Sequence, residues 1–222
     1  MMVLARIRRE AAHLMRKLTG EKARARRAAF AAFDAAVAGL RPGDLVIDLG
    51  ANVGVFTEAM ARSGADVIAF EPDPHAFGLL SVRLAPWPNA RLVAAAAGDK
   101  AGSFQLYRHR DFAASPDRRT TSSTLIADKR NVSAAHAVTV EVVDFVAFLR
   151  DLDRDVAVLK IDIEGAEVAL LERLLADPVA DRIGQIFVET HERMLPQLAS
   201  RTAALKRLAA GRAKPVINWD WH

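Results

Sequence analysis

The chain has no cysteine. That excludes disulfides, thiol nucleophiles and thiolate metal sites, and it fits a cytoplasmic protein. No apolar run reaches the length that crosses a bilayer. No apolar stretch follows the basic N-terminus to serve as a signal-peptide core. Internal repeats and low-complexity linkers are also missing. What is present is 222 residues, half of them apolar, enough for one domain whose core can fold alone.

Charge is uneven. Residues 1–27 carry nine Lys or Arg against Glu10 and Glu21, a net +7; the whole chain is +4, which leaves −3 for the rest. The leader could grip nucleic acid, an anionic membrane or an acidic partner. No aromatic residue interleaves with its charges, so a solvated helical face accounts for it as well.

The stretch Val46-Ile47-Asp48-Leu49-Gly50-Ala51-Asn52-Val53-Gly54 organises the remainder. An apolar run stops at a glycine, a second glycine follows four residues on, and Val55 to Ala61 has helical spacing. This reads as strand, tight loop and helix, a unit whose backbone can approach a nucleotide. Glu71 ends the next apolar run, 21 residues past Gly50, where an acid can hold both ribose hydroxyls. The pattern is not the Gly-x-Gly-x-x-Gly of pyrophosphate sites, and Asp48 would oppose a phosphate. It suits a ligand that carries cations, such as S-adenosylmethionine with its ammonium and sulfonium.

In chain order, helices are expected over 3–18 and about 22–39, then a turn at 41–44 and the first strand. A helix over 75–84 follows Glu71. Arg91 to Ala97 reads as a third strand closing at Gly98-Asp99. Three strands alternating with helices predict a parallel, doubly wound sheet. Gly102 to Tyr107 and Val138 to Val143 then alternate as strands around a long polar segment, 108–136, expected to cover the site. Its Arg108, Arg110, Arg118, Arg119, Lys129 and Arg130 hint at an anionic group on the acceptor, or at solvated loop charge. Asp144 caps a helix to Leu152; Val156 to Ile161 and Gln185 to Val188 are strands; 194–210 is a helix; Pro215 to Trp221 is a last strand. Ile217, Trp219 and Trp221 share one face of it.

Ligands of open parallel sheets bind outside the carboxyl ends of the strands. The 48–54 loop, Glu71, Ala97-Gly98, Asp162/Glu164 and Glu189/His191 all fall there. Gly98 would let the chain pass an adenine ring, or is a plain turn. Asp162 and Glu164, two apart, face the same way in extended backbone. Glu164 and Glu167 also simply match a helix dipole. His191 is a general-base candidate, since its ordinary pKa is near neutral, or a loop histidine.

These blocks, with Phe70-Glu71-Pro72, Ser122-Ser123, Leu159-Lys160-Ile161-Asp162-Ile163-Glu164-Gly165-Ala166-Glu167 and Val188-Glu189-Thr190-His191, resemble the FkbM family of S-adenosylmethionine-dependent methyltransferases in order and spacing. The resemblance covers about residues 43–191. It implies an α/β class I methyltransferase (Rossmann-like) fold: a doubly wound, mostly parallel sheet with helices on both faces. Residues 1–40 are then an N-terminal helical extension, 41–222 the methyltransferase domain, and 102–143 a β insertion after the third strand. It also implies O-methylation of a hydroxyl on a sugar, glycan or small natural product, by in-line transfer from S-adenosylmethionine. Asp48, Gly50, Asn52 and Gly54 would line the methionine end, Glu71 would hold the ribose, and Ala97 and Gly98 would lie near adenine. Asp162, Glu164 and His191 would face the methyl, with His191 the first choice of base and Asp162 the second. No metal is expected, although ligand atoms cluster there. A homo-oligomer could complete the sheet edge after the sixth main strand. An RNA methyltransferase using the leader is the rival reading, against which the body's −3 counts. A non-catalytic binding protein is another, against which the intact acids and His191 count.

Overall fold

A computed structural model describes residues 20, 23–114, 123–126 and 132–221. The expected helix over 3–18, Ser122, and the basic residues at 118, 119, 129 and 130 lie outside that range. Helix α1 spans 23–38. It is followed by β1 (Leu45–Leu49), α2 (Val55–Ala61), β2 (Asp66–Phe70), α3 (Pro74–Leu84), β3 (Ala90–Val93), β4 (Ala96–Gly98) and β5 (Gly102–His109). After the cover segment come β6 (Val132–Asp144), α4 (Phe145–Leu152), β7 (Val156–Ile161), α5 (Glu167–Leu175), β8 (Ile183–Val188), α6 (Ala199–Ala210) and β9 (Val216–Asn218).

Six strands form one sheet in the order β3-β2-β1-β7-β8-β9, with every neighbouring pair parallel. The chain starts at the centre, winds out to β3, then returns past β1 and winds out the other way. The apolar strands alternate between two cores, as period-2 side chains must. Leu45, Ile47 and Leu49 pack with α4, α5 and α6, whereas Val46, Val67 and Val158 pack with Phe33 of α1, Met60 of α2 and Leu80 of α3. Helices therefore cover both faces, and the strand tips converge at one edge.

The third strand differs from expectation. Arg91 to Ala97 is two strands, because the chain turns at Ala94-Ala95, where the Ala95 amide donates to the Val93 carbonyl at 2.9 Å. β4 leaves the main sheet and pairs parallel with β6, which pairs antiparallel with β5. β5 and β6 of this small sheet fall in the expected insertion over 102–143, and β4 joins them from outside it. The small sheet is tied to the main sheet by Asp73, a fully buried α3 cap that receives both Arg108 Nε (2.7 Å) and Nη2 (2.9 Å). Arg108 is thus spent inside the fold and does not reach for an anionic acceptor.

The C-terminal segment also differs. α6 begins at Ala199 rather than near 194, because Pro196 opens a 3-10 turn first. The last strand stops at Asn218. Ile217 and Trp219 pack on the α4–α6 core, while Trp221 crosses to the other, 4.5 Å from both Phe30 and Phe33. The three side chains do not share a face, since the alternation ends with the strand.

Candidate active site

A cleft opens at the carboxyl ends of β1, β2 and β7. Gly50, Asn52, Glu71, Ala97, Asp162 and Glu164 line it, joined by Phe70, Pro72, Ala96, Leu106, Ile163 and Ala166. Ser123, Thr124 and Leu125 of the cover segment close one side. Thr124 pairs with Tyr107 through both backbone bonds (2.8 and 3.0 Å), and its hydroxyl donates to the Glu164 carbonyl at 2.7 Å. Among the described residues, three carboxylates and no Lys or Arg line the cleft.

The loop after β1 is shaped by crowding. Gly50 adopts φ +78, and a Cβ there would lie 1.8 Å from the Asp162 carbonyl oxygen. The Gly50 and Ala51 amides both donate to the Phe70 carbonyl at 3.0 Å. Asn52 follows in left-handed backbone (φ 50), and its buried Oδ1 has no hydrogen-bond partner. Glu71 accepts from the Asn52 amide on one oxygen and the Asp73 amide on the other, both at 2.8 Å. Each oxygen keeps a further lone pair for a hydroxyl. Burial pushes the Glu71 carboxyl up to about 7, against the pull of those amides.

Four of the expected site residues lie elsewhere. Asp48 is fully buried on the α1–α3 side of the sheet, where Lys160 Nζ sits 3.0 Å from Oδ1 and Thr57 donates to Oδ2 at 2.7 Å. Gly54 packs under α3: a Cβ would meet Leu80 at 2.6 Å. Gly98 packs on β6, where a Cβ would meet Val142 at 2.7 Å. His191 does not line the cleft; it stands behind Glu164 as a buried support.

His191 is enclosed by acids. Nε2 lies 3.1 Å from Glu164 and 3.9 Å from Asp162, Nδ1 lies 3.2 Å from Glu167, and Glu189 is 4.0 Å away. Glu167 is fully buried and also accepts the Gly165 amide (2.7 Å) and the His191 amide (3.0 Å). Burial alone would lower the imidazole pKa, but the bonds to Glu164 and Glu167 outweigh it and raise it to about 11. At neutral pH the ring is an imidazolium that donates from both nitrogens, with no lone pair for a proton. Asp162 faces the cleft, and burial, reinforced by Glu164, pushes its carboxyl above the ordinary value against the pull of Lys160. Burial and Asp162 likewise push Glu189 up to about 7.

Asp162, Glu164 and His191 offer three ligand atoms within 4.8 Å of one another, compact enough for a divalent ion. Sequence reasoning missed Lys160, Thr57 and Glu167. Lys160 had a signal, a lysine inside an otherwise apolar strand; Glu167 was indistinguishable from a helix-dipole acid.

Residues 48–209 match the family model described as the methyltransferase FkbM domain. Curated relatives include ribosomal RNA small subunit methyltransferase A of Leuconostoc citreum, 42% identical over 57 residues, which is 26% of this chain and 19% of that protein. The Thermotoga neapolitana protein of the same name is 44% identical over 55 residues, 25% of this chain and 21% of that one. The match spans about a fifth of the length of these relatives. Among solved structures, a TehB-like SAM-dependent methyltransferase from Corynebacterium glutamicum shares 21% identity over 38% of this chain and 42% of that one, with a TM-score of 0.22. No helix among the described residues is long and apolar enough to cross a membrane.

Proposed function

The chain belongs to the FkbM family of methyltransferases, and on that premise we propose that it methylates a hydroxyl of a sugar, glycan or small natural product with S-adenosylmethionine as donor. The observation that carries the donor is the charge of the cleft: three carboxylates and no cationic side chain among the described lining. A polyphosphate would find no Lys or Arg to pair with there, whereas an ammonium would meet carboxyl and amide oxygens. The residues fit that group in detail. The orphaned Asn52 Oδ1 awaits a donor such as an ammonium. The Glu71 oxygens can each accept a ribose hydroxyl. Phe70, Ala96, Ala97 and Leu106 supply an apolar wall for a flat ring.

When bound, S-adenosylmethionine supplies a methyl group activated by its sulfonium. An aliphatic hydroxyl is a weak nucleophile, so a base should take its proton as it reacts. Asp162 has that role: its carboxylate faces the cleft at the end of β7, and its raised pKa strengthens it as a base. His191, the first choice from sequence, holds Glu164 in place beside Asp162 and offsets its charge. Glu167 orients the ring. Thr124 fastens the cover segment to the Glu164 backbone and so shields the cleft from water.

Calorimetry with S-adenosylhomocysteine and with NAD tests the donor. The homocysteine compound binds and Glu71→Ala abolishes detectable binding; preference for NAD would overturn the reading. A labelled-methyl screen of the purified protein against metabolites, glycans and RNA tests the acceptor. Label in a glycan or small molecule supports the proposal, and label confined to RNA replaces its acceptor half.

A further inference from the structure

The reaction above gives Lys160 no part, yet a lysine at 2% exposure inside an apolar layer is costly to place. Asp48 and Lys160 are register partners on β1 and β7, so their side chains emerge side by side toward α2. The layer around them is apolar: Val46, Phe33 and Met60 belong to the same core, and the ammonium lies 5.7 Å from the Phe56 ring centroid. Replacing such a pair by apolar residues is often neutral or stabilising, so stability alone gives little reason for it.

Lys160 Nζ makes a second contact. It donates to the Gly50 carbonyl at 3.3 Å, as well as to Asp48 at 3.0 Å. The loop of residues 50–52 is thus held on two sides. On the β2 side its amides donate to the Phe70 carbonyl, and on the β7 side its Gly50 carbonyl accepts from Lys160. Gly50 and Asn52 line the cleft, and the backbone between them sets where the Asn52 side chain and its amide bond to Glu71 fall.

We propose that Lys160 is a positioning residue for the cofactor loop: it fixes the Gly50 carbonyl from below, and Asp48 is its counter-ion rather than a ligand of the cofactor. The inference rests on the cofactor reading given above. The surroundings keep the lysine charged for this task. Burial opposes the charge, but Asp48 and Asp162 more than offset it, and its pKa lies above the ordinary value. Thr57 completes the device by holding the other Asp48 oxygen, so the carboxylate is fixed on Lys160 and turned away from the cleft.

The test is S-adenosylhomocysteine affinity by calorimetry, in variants that separate charge balance from the loop contact. Lys160→Met alone strands a buried carboxylate and can unfold the chain. The paired variants Asp48→Leu/Lys160→Met and Asp48→Asn/Lys160→Met bury no uncompensated charge. Both should keep a cooperative urea transition and lose affinity by about 10- to 100-fold, as removal of one charge-assisted hydrogen bond does. Asp48→Asn alone removes the main counter-ion and lowers stability, so it is read at a temperature where its urea transition stays cooperative; there the lysine stays on Gly50 and binding should be within a few-fold of wild type. Wild-type affinity in a folded paired variant would overturn the positioning role. So would an equal loss in Asp48→Asn, which would make Asp48 itself the determinant. Absence of binding in the wild-type protein would instead remove the cofactor reading on which this one stands.

Discussion

Asp48 and Asp162 stand at matching points of the chain, each at the tip of an apolar strand just before a glycine turn, yet the fold gives them opposite surroundings. Asp48 points with Val46 toward α2, into an apolar layer, and is closed off by Lys160 and Thr57. Asp162 lies one residue beyond β7, where the chain leaves the sheet, and its carboxylate is at the cleft wall with 30% of the side chain exposed. A carboxylate inside the strand is committed to one face and to its cross-strand partner; one just past the end is free to face the ligand. Position relative to the end of the strand, rather than proximity to a glycine loop, decides which of the two acids faces the cleft.

The largest expected effect follows from that contrast. Asp162→Asn should lower turnover by about 10²–10⁴-fold, the usual contribution of a positioned base, with much less change in cofactor affinity. Asp48→Asn should act mainly on stability, since it leaves a buried lysine without its counter-ion. Turnover of labelled methyl, read beside urea unfolding, separates the two. Equal turnover losses in both variants would break the distinction.

The strand tips were legible because apolar runs end abruptly there, and Gly50, Asn52, Glu71, Ala97, Asp162 and Glu164 do meet at one cleft. What was not legible was three-dimensional. Strand parity shows that Val46 and Asp48 share a face, but not that α2 covers it. Gly54 and Gly98 looked like ligand-facing glycines, although Gly54 caps α2 in left-handed backbone (φ 83) and the two pack against Leu80 and Val142. The protonation state of His191 depends on Glu167, 24 residues earlier and on another element. Arg108 looked available to an acceptor because its partner Asp73 lies 35 residues away. The break between β3 and β4 was hidden in a run of alanines, which carries no turn signal.

A second, smaller effect concerns pH. The folded-state pKa of His191 is about 11 against an ordinary 6.5, so its bonds to Glu164 and Glu167 stabilise the fold fully below pH 6.5. That stability is lost as pH rises from 6.5 through 11. The slope should reach about 1.4 kcal/mol per pH unit where the unfolded ring is neutral and the folded ring still charged. Urea unfolding at pH 6, 8 and 10 measures it, and His191→Gln should flatten the slope. An unchanged slope in the variant would mean that the ring is not the imidazolium that sets the cluster apart from the Asp48 pair.

The smallest effect expected is that of chelation. Asp162, Glu164 and His191 are close enough for a divalent ion, but a metal needs the Nε2 lone pair, which the proton holds. The proton that Glu164 and Glu167 stabilise on the ring competes with a metal for Nε2. EDTA-treated protein should therefore keep its turnover, and Mn²⁺ titrated calorimetrically into the protein at pH 7 should give no saturable heat. Turnover lost to EDTA and restored by Mg²⁺ or Mn²⁺ would reverse the assignment: His191 would be a ligand, its proton would leave on metal binding, and Asp162 would hold the ion rather than take the acceptor's proton. The two acids compared above would then both be paired with a cation, one built into the chain and the other supplied from solution.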